Sequence, residues 1–457
     1  MVADATTPCP RCEQLQTQLD AQRAQLDAQQ QQFDTLQATI HQLQEQLASA
    51  RKNSATSSKP PSSDIVKPSP PSSPDQAQRS PGGQPGHPRQ QRQLFPPEMV
   101  QIINHRADAC PTCGQGLEPV AGTPRLVQQV EIRDLPLRVE EQRGLPGWCP
   151  ACQALHDAPL PNAVTAGGLV GPRLTALIAY LKGACHASFS TIRKFLRDVV
   201  GFSICRGQLV TIINKVSQSL DVPYQELLDN LTAQDQLNVD ETGHRDQGER
   251  WWTWCFRADL YTLFKIDPTR SGDVLLTVLG HEFDGVVGCD YFSAYRRYMR
   301  ETGTLLQFCL AHLIRDVKFL LTLPDVRQQA YGERLQQALG RLFAVIHRQE
   351  QLTPSALATQ LAAAREDILS CALTDVPAGR QSQNLARRFE KHGAAYFQFI
   401  TTPGVPPTNN LAEQASRFVV IDRKVTQGTR SEKGRRWCER MWTVMATCSQ
   451  QSKSVFE

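Results

Sequence analysis

Two aspartates close short apolar runs: Asp240 follows Gln236–Val239, and Asp290 follows Gly285–Cys289. Carboxylates at the ends of neighbouring strands repel one another unless a cation lies between them. Mg2+ takes oxygen ligands and leaves positions open for phosphate. A pair of such ions about 3.5–4 Å apart activates water and stabilises the leaving oxygen of a phosphodiester. One Asp alone reads as a turn or cap residue; the two together point to metal-dependent chemistry. A third acid is required, and two positions compete for the role. Asp325 lies 35 residues beyond Asp290, in Leu-Pro-Asp-Val, where it is also a ready helix N-cap. Glu413 lies in Asn409-Asn-Leu-Ala-Glu413, where it also reads as the capping-box partner of Asn410 or the i+4 ion partner of Arg417. Spacing leaves both open. Glu241, next to Asp240 on the strand, points to the opposite face and is not expected to be a ligand.

A second chemistry belongs to the cysteines. Cys110-Pro-Thr-Cys113 and Cys149-Pro-Ala-Cys152 supply four thiolates, a closed tetrahedral set for structural Zn2+. The stretch Arg125–Val139 between them supplies the strands of a zinc ribbon, a unit too small to fold without its metal. Buried unligated thiols are the plain alternative. Cys9-Pro-Arg-Cys12 is a third knuckle, either meeting its twin across a dimer or holding free thiols. Fourteen cysteines in a chain of cytoplasmic character point to metal sites before disulfides.

The elements that must position these groups form a multidomain α+β chain. In residues 1–52, Leu19, Leu26, Phe33, Ile40 and Leu47 recur every seven residues, and Leu15, Gln22, Gln29, Leu36 and Leu43 precede them by four. That is a coiled-coil seam with a polar break, and a second copy of the chain is its natural partner. Residues 53–98 hold eleven Pro and nine Ser and read as a linker. The ribbon occupies 99–160. Residues 161–232 read as helices (Arg173–Lys182, Ser190–Val200, Gln208–Leu220), either a helix-turn-helix DNA reader or plain helical packing. From 233 to 325 the order is strand, hairpin (Trp251–Arg257 with Leu260–Ile266), helix Asp273–Leu279, strand, helix, strand Leu305–Cys309, then the helix at Ala311. This is the order of an RNase H-like core, a mixed sheet flanked by helices. Residues 326–403 form a helical insertion (Glu333–Arg348, Ser355–Cys371, Gln383–Phe399), and 404–457 the last core helix and a basic segment. Trp251, Trp252 and Trp254 read as alternating core residues or as stackers for an unpaired base. A net charge of +4 with 21% charged residues excludes a chain disordered throughout, and no apolar run reaches the roughly 20 residues that span a bilayer. The N-terminus lacks a secretory signal. A soluble cytoplasmic protein is expected.

Several segments together resemble the transposases of insertion sequence family 66. They are the heptads, Lys52-Asn-Ser-Ala-Thr-Ser-Ser-Lys-Pro-Pro-Ser-Ser-Asp64, Gly83-Gln-Pro-Gly-His87, the paired knuckles, Asp240-Glu-Thr-Gly243, Asn409-Asn-Leu-Ala-Glu413, and Arg430-Ser-Glu-Lys-Gly434 as the basic loop. The resemblance implies a bacterial DDE transposase with Asp240, Asp290 and Glu413 as its triad on two Mg2+ or Mn2+ ions, and leaves Asp325 as a cap. Cys309-Leu-Ala-His312 looks like the Cys-x-x-His element that follows the second Asp in several DDE superfamilies, with His312 steadying the site or contacting DNA. The implied reaction is cleavage at the element's ends and strand transfer to target DNA, with accessory proteins of the same element as further partners. The chain ends at Glu457, where similar transposases carry a further short stretch, so a truncated copy is expected.

Positive charge gathers near the C-terminus, where Arg417, Arg423, Lys424, Arg430, Lys433, Arg435, Arg436 and Arg440 outnumber Asp422, Glu432 and Glu439. Of these, Arg423, Lys424, Arg430, Lys433, Arg435 and Arg436 are the expected DNA-backbone track. Two other readings stand beside strand transfer. One is a metal-dependent nuclease of the same fold; the other is an inactive DNA-binding remnant or regulator built on ribbon, helices and coiled coil.

Overall fold

The computed structural model describes residues 10–53 and 169–457 throughout and, between them, parts of 137–165 and a few single positions. The chain divides into two compact units: Met1–Pro68, Pro161–Arg193 and Ile204–Glu457 in one, Ser69–Leu160 and Lys194–Ser203 in the other. The smaller unit holds an antiparallel hairpin of β1 (Pro146–Cys149) and β2 (Ala154–Asp157), with Cys149 opposite Ala154. Cys110, Cys113, Cys152 and the side chain of Cys149 lie outside the described residues, as do most of the linker, Cys9, the side chain of Cys12 and most of Arg125–Val139. The described tail of that last stretch, residues 137–139, forms no strand.

The larger unit begins with α1 (Pro10–Ala50), 41 residues with no proline or glycine after Pro10. Its heptad residues stand in solvent, Leu26 at 64% exposure and Phe33 at 55%. It continues with α2 (Pro172–Gly183) and the start of α3 (Phe189–Phe195); the π-helical turn that follows, Leu196–Val200, which closes at Gly201 with a φ of 75° that suits glycine, belongs to the smaller unit. Then come α4 (Arg206–Ser219), which packs on α2, and α5 (Asp221–Asp229). Among the described residues no helix is long and apolar enough to cross a membrane.

The core is a five-stranded mixed sheet of β3 (Gln236–Asp246), β4 (Glu249–Arg257), β5 (Thr262–Asp267), β6 (Val286–Cys289) and β7 (Leu305–Phe308), in the order β5-β4-β3-β6-β7. The first three strands run antiparallel, while β3, β6 and β7 run parallel. This mixed sheet flanked by helices is compatible with an RNase H-like core. Strand alternation divides its side chains. Leu237, Val239, Trp254, Phe256 and Leu263 enter one core with α6 (Asp273–Leu279), α7 (Ser293–Thr302) and α8 (Leu310–Leu320). Cys255, Phe264 and Ile266 enter the other, against α12 (Asn410–Thr426) and α13 (Glu432–Gln450). Glu439, Thr443 and Thr447, spaced by four on α13, accept the N–H groups of Ile266, Phe264 and Thr262, so one helix face satisfies the free edge of β5.

The strand that carries Asp240 does not end there. It runs six residues further, paired with β4 to Asp246↔Glu249, and turns at Gln247 (φ 52°) and Gly248 (φ 88°), a two-residue turn of the primed hairpin type. The element that stops is the parallel neighbour: the last β3–β6 pair is Asn238↔Gly288. Asp240 therefore lies just past the parallel pairing, beside the exit of β6.

Between the core strands and α12 come α9 (Val326–His347), α10 (Pro354–Leu373) and α11 (Arg380–His392). Asp325 is the N-cap of α9, its Oδ1 accepting the Arg327 N–H at 2.9 Å. The third of these helices is shorter than the expected Gln383–Phe399, because the chain tightens at Gly393 into a 3-10 turn.

Candidate active site

Asp240 pairs across the sheet with Cys255, which places its carboxyl on the face covered by α12. Asp290 is the first residue beyond β6, and its Oδ1 accepts the Phe292 N–H at 2.8 Å, a local turn that opens the way into α7. Glu413 stands in the first turn of α12. Burial lifts the Asp240 carboxyl well above the carboxylate range, and the charges of Glu241, Asp290 and Glu413 push it further, in that order. Asp290 and Glu413, from two other segments, thus both act on Asp240. Asp325, the competing position, is a capped helix start elsewhere.

A buried asparagine sets α12 against the strands. Asn409, 1% exposed, donates Nδ2–H to the Val239 carbonyl at 2.7 Å and accepts from Asn238 Nδ2 at 3.0 Å. Its own N–H points at Cys309 Sγ, 3.1 Å away, while Leu310 N–H donates to the Pro407 carbonyl at 3.0 Å. Gly288 makes room, since a Cβ there would lie 2.6 Å from Asn238 Nδ2. The helix start is thereby held to the residue before Asp240, and Glu413 follows one turn later. Asn409 stands within the motif that carried the family resemblance, yet its spacing alone gives no sign of this clasp.

Glu413 lies beside an imidazole and a guanidinium. His312 Nδ1 lies 3.5 Å from Oε1, and Arg315 Nη2 lies 3.5 Å from Oε2. Oε1 is shielded from solvent and has no hydrogen-bond partner. Among the described residues no ion pair reaches Asp240 or Asp290. An all-oxygen set of mutually repelling carboxylates, one with an orphaned buried oxygen, fits a hard divalent cation such as Mg2+ or Mn2+. Cys309 and His312 stand beside Glu413. Burial, with the charge of Glu413, raises the Cys309 thiol, and the backbone N–H groups of Asn409, His312 and Ala311 only partly offset this.

Glu241 takes the other face, as strand alternation requires. It is buried opposite Trp254, where Arg270 Nε donates to Oε1 at 2.8 Å and the Tyr295 hydroxyl donates to Oε2. Burial and the charge of Asp290 outweigh these donors and lift its carboxyl to about 7. Neither Arg270 nor Tyr295 carries any spacing signal in the sequence. Trp254 is fully buried and Trp252 packs partly against the same core, as core alternation predicts.

The basic track is divided in its duties. Arg423 donates to Thr242 Oγ1 at 2.8 Å, Arg435 pairs with buried Asp246 and lies over the Trp251 ring, and Arg436 pairs with Glu439 at 3.1 Å. Lys424, Arg430 and Lys433 are exposed, and none of them forms an ion pair among the described residues.

A family model described as the transposase IS66 family matches residues 167–436, a span that includes all three acids, Asn409, Cys309 and His312. A second model, a family of unknown function (DUF6444), matches residues 7–93, the region of α1 and the segment after it. No curated protein matches the chain. The first match covers more than half of the 457 residues, and the chain belongs to the IS66 family of transposases.

Proposed function

We propose that the protein cleaves DNA at the ends of a mobile element and joins the freed ends to target DNA, with Asp240, Asp290 and Glu413 as its catalytic acids. The observation that carries this reading is that the Asp240 carboxyl, raised by burial on a central strand, is pushed further up by the charges of Asp290, at the exit of the parallel neighbour, and of Glu413, on a helix far along the chain. Divalent ions held there, two Mg2+ or Mn2+, would supply a bound water of lowered pKa and neutralise charge building on the scissile phosphate. Asp240 and Asp290 would hold them from the sheet and Glu413 from α12, its position set by the Asn409 clasp. In cleavage, water adds to phosphorus as the 3′-oxygen leaves. In joining, the freed 3′-hydroxyl adds to a target phosphorus and a target 3′-oxygen leaves. Lys424, Arg430 and Lys433 would carry the phosphate contacts, since their charges are not consumed by internal pairs. Structural Zn2+ on Cys110, Cys113, Cys149 and Cys152 belongs to the same proposal.

The test uses the full chain, labelled element ends and Mg2+. Asp240→Asn and Glu413→Gln should keep end binding and lose both nicked and joined products by orders of magnitude. A variant that still joins strands would refute the assignment. Nicked product without joined product from the unaltered protein would favour a nuclease of the same fold.

A further inference from the structure

We propose that Cys309, His312 and Glu413 form a binding site for a thiophilic divalent ion of the Zn2+ type, a mixed sulfur, nitrogen and oxygen set that shares Glu413 with the all-oxygen set of Asp240, Asp290 and Glu413. One ligand atom from each residue lies within 4.8 Å of the others. Cys309 is the N-cap residue of α8 and His312 follows three residues later, so both face the same side of the helix start. Cys309 is 1% exposed, and its sulfur receives the Asn409 N–H; burial and the Glu413 charge hold the thiol protonated, so the ion itself would have to displace its proton.

The distance between His312 Nδ1 and Glu413 Oε1 decides between a hydrogen bond and a shared ion. Both atoms are shielded from water and neither has a hydrogen-bond partner. Their separation of 3.5 Å is longer than the roughly 2.7–3.2 Å of an N–H···O bond. It matches the roughly 3.3–3.5 Å that separates two ligands on one tetrahedral ion with bonds of about 2.0–2.2 Å. Thiolate and imidazole disfavour Mg2+ and favour Zn2+ or its analogues, and three protein ligands leave a fourth position open. Arg315 opposes the ion, with Nη1 3.4 Å from His312 Nε2 and Nη2 3.5 Å from Oε2. Ligation through Nδ1 moves the imidazole proton to Nε2, so Arg315 must yield its contact there.

Ion binding at this site stands whether or not Glu413 serves catalysis, and the test therefore reads binding without DNA or Mg2+. Reduced, metal-free full chain carrying serine at Cys9, Cys12, Cys110, Cys113, Cys149 and Cys152 is titrated with Co2+, following thiolate-to-cobalt charge-transfer absorption. The expected result is one equivalent bound with the band present. Cys309→Ser should abolish the band, and His312→Ala or Glu413→Gln should each weaken binding by at least about tenfold, since even outer-shell changes cost that much. Arg315→Gln should tighten it. An unchanged band in Cys309→Ser, or unchanged affinity in both His312→Ala and Glu413→Gln, overturns the site. Glu413 is partly exposed, so its variant decides the matter should Cys309→Ser fail to fold.

Discussion

Glu241 adjoins Asp240 in sequence but answers to a different neighbourhood, and its titration separates burial from ion pairing. Its folded value, about 7, lies above the ordinary 4.5. Between those values the folded chain holds a proton that the unfolded chain has released, so the stability it supplies is complete below about pH 4.5 and lost as the pH rises through 7. Glu241→Gln removes this dependence while keeping the shape. Denaturant unfolding of both proteins in metal-free buffer at about pH 5 and about pH 8 should show the natural chain losing ground to the variant by a few kcal/mol, about 1.4 for each pH step between the unfolded and folded values. A difference that does not change with pH would mean that Arg270 holds Glu241 charged throughout. The contrast with the variant is what isolates this carboxyl, because other groups titrate in the same range. His244, whose value burial lowers to about 4, works with the opposite sign: its contribution is present above pH 6.5 and lost as the pH falls through 4.

Helices α12 and α13 convert a sheet into a site, and each does so through buried polar bonds that can be broken one at a time. Asn409→Ala would leave Asn238 Nδ2 and the Val239 carbonyl each short of a partner, at a cost of about 1–3 kcal/mol per group. Cleavage should then fall further than stability explains, because Glu413 loses its fixed distance from the strands; a variant with full activity at temperatures where it is folded would remove Asn409 from the positioning role. Arg435→Ala should cost about 3 kcal/mol by stranding Asp246, only 2% exposed, and is therefore a poor probe of DNA contact. Lys424→Ala with Lys433→Ala should leave thermal unfolding unchanged and reduce the salt slope of DNA binding by about two. These elements were unequally legible in the sequence. The aromatic hairpin and Asp273–Leu279 declare themselves by local pattern. The continuation of β3 through Thr242-Gly243-His244 does not, because pairing with β4 and the contacts of His244 and Asp246 with Thr429 hold it extended. Asp290 stands just past a strand end, as its apolar run predicts, but Asp240 lies inside its strand and not at its end, and Glu413 was picked out by motif resemblance alone, whereas the contacts of Arg270, Tyr295 and Arg315 arise only through tertiary packing.

At the scale of the whole chain, α1 is the largest unsolved burial problem. A helix of 41 residues is about 60 Å long, and a lone helix of this composition gains little from propensity alone. Its C-terminal end docks within its own unit: Ala48 packs on the core, Glu45 accepts from Gln328 at 3.2 Å, and Lys52, just past the helix, sits 3.6 Å over the Phe319 ring. From Leu15 to Leu47 the a/d seam stays exposed. Full burial of such side chains is worth about 1.5–3 kcal/mol each, so eight of them far outweigh the entropy of pairing two chains at micromolar concentration. Gln22 and Gln29 interrupt the seam, and polar residues at such positions fix register at some cost in stability. The full chain should therefore be a homodimer by sedimentation equilibrium. Leu26→Asp with Phe33→Asp, placed on the seam and away from the docked turns, should give a monomer whose core unfolds at the same temperature. If that double variant remained dimeric, the subunit contact would have to lie on the larger unit's globular surface, and the exposed stripe would await a different occupant.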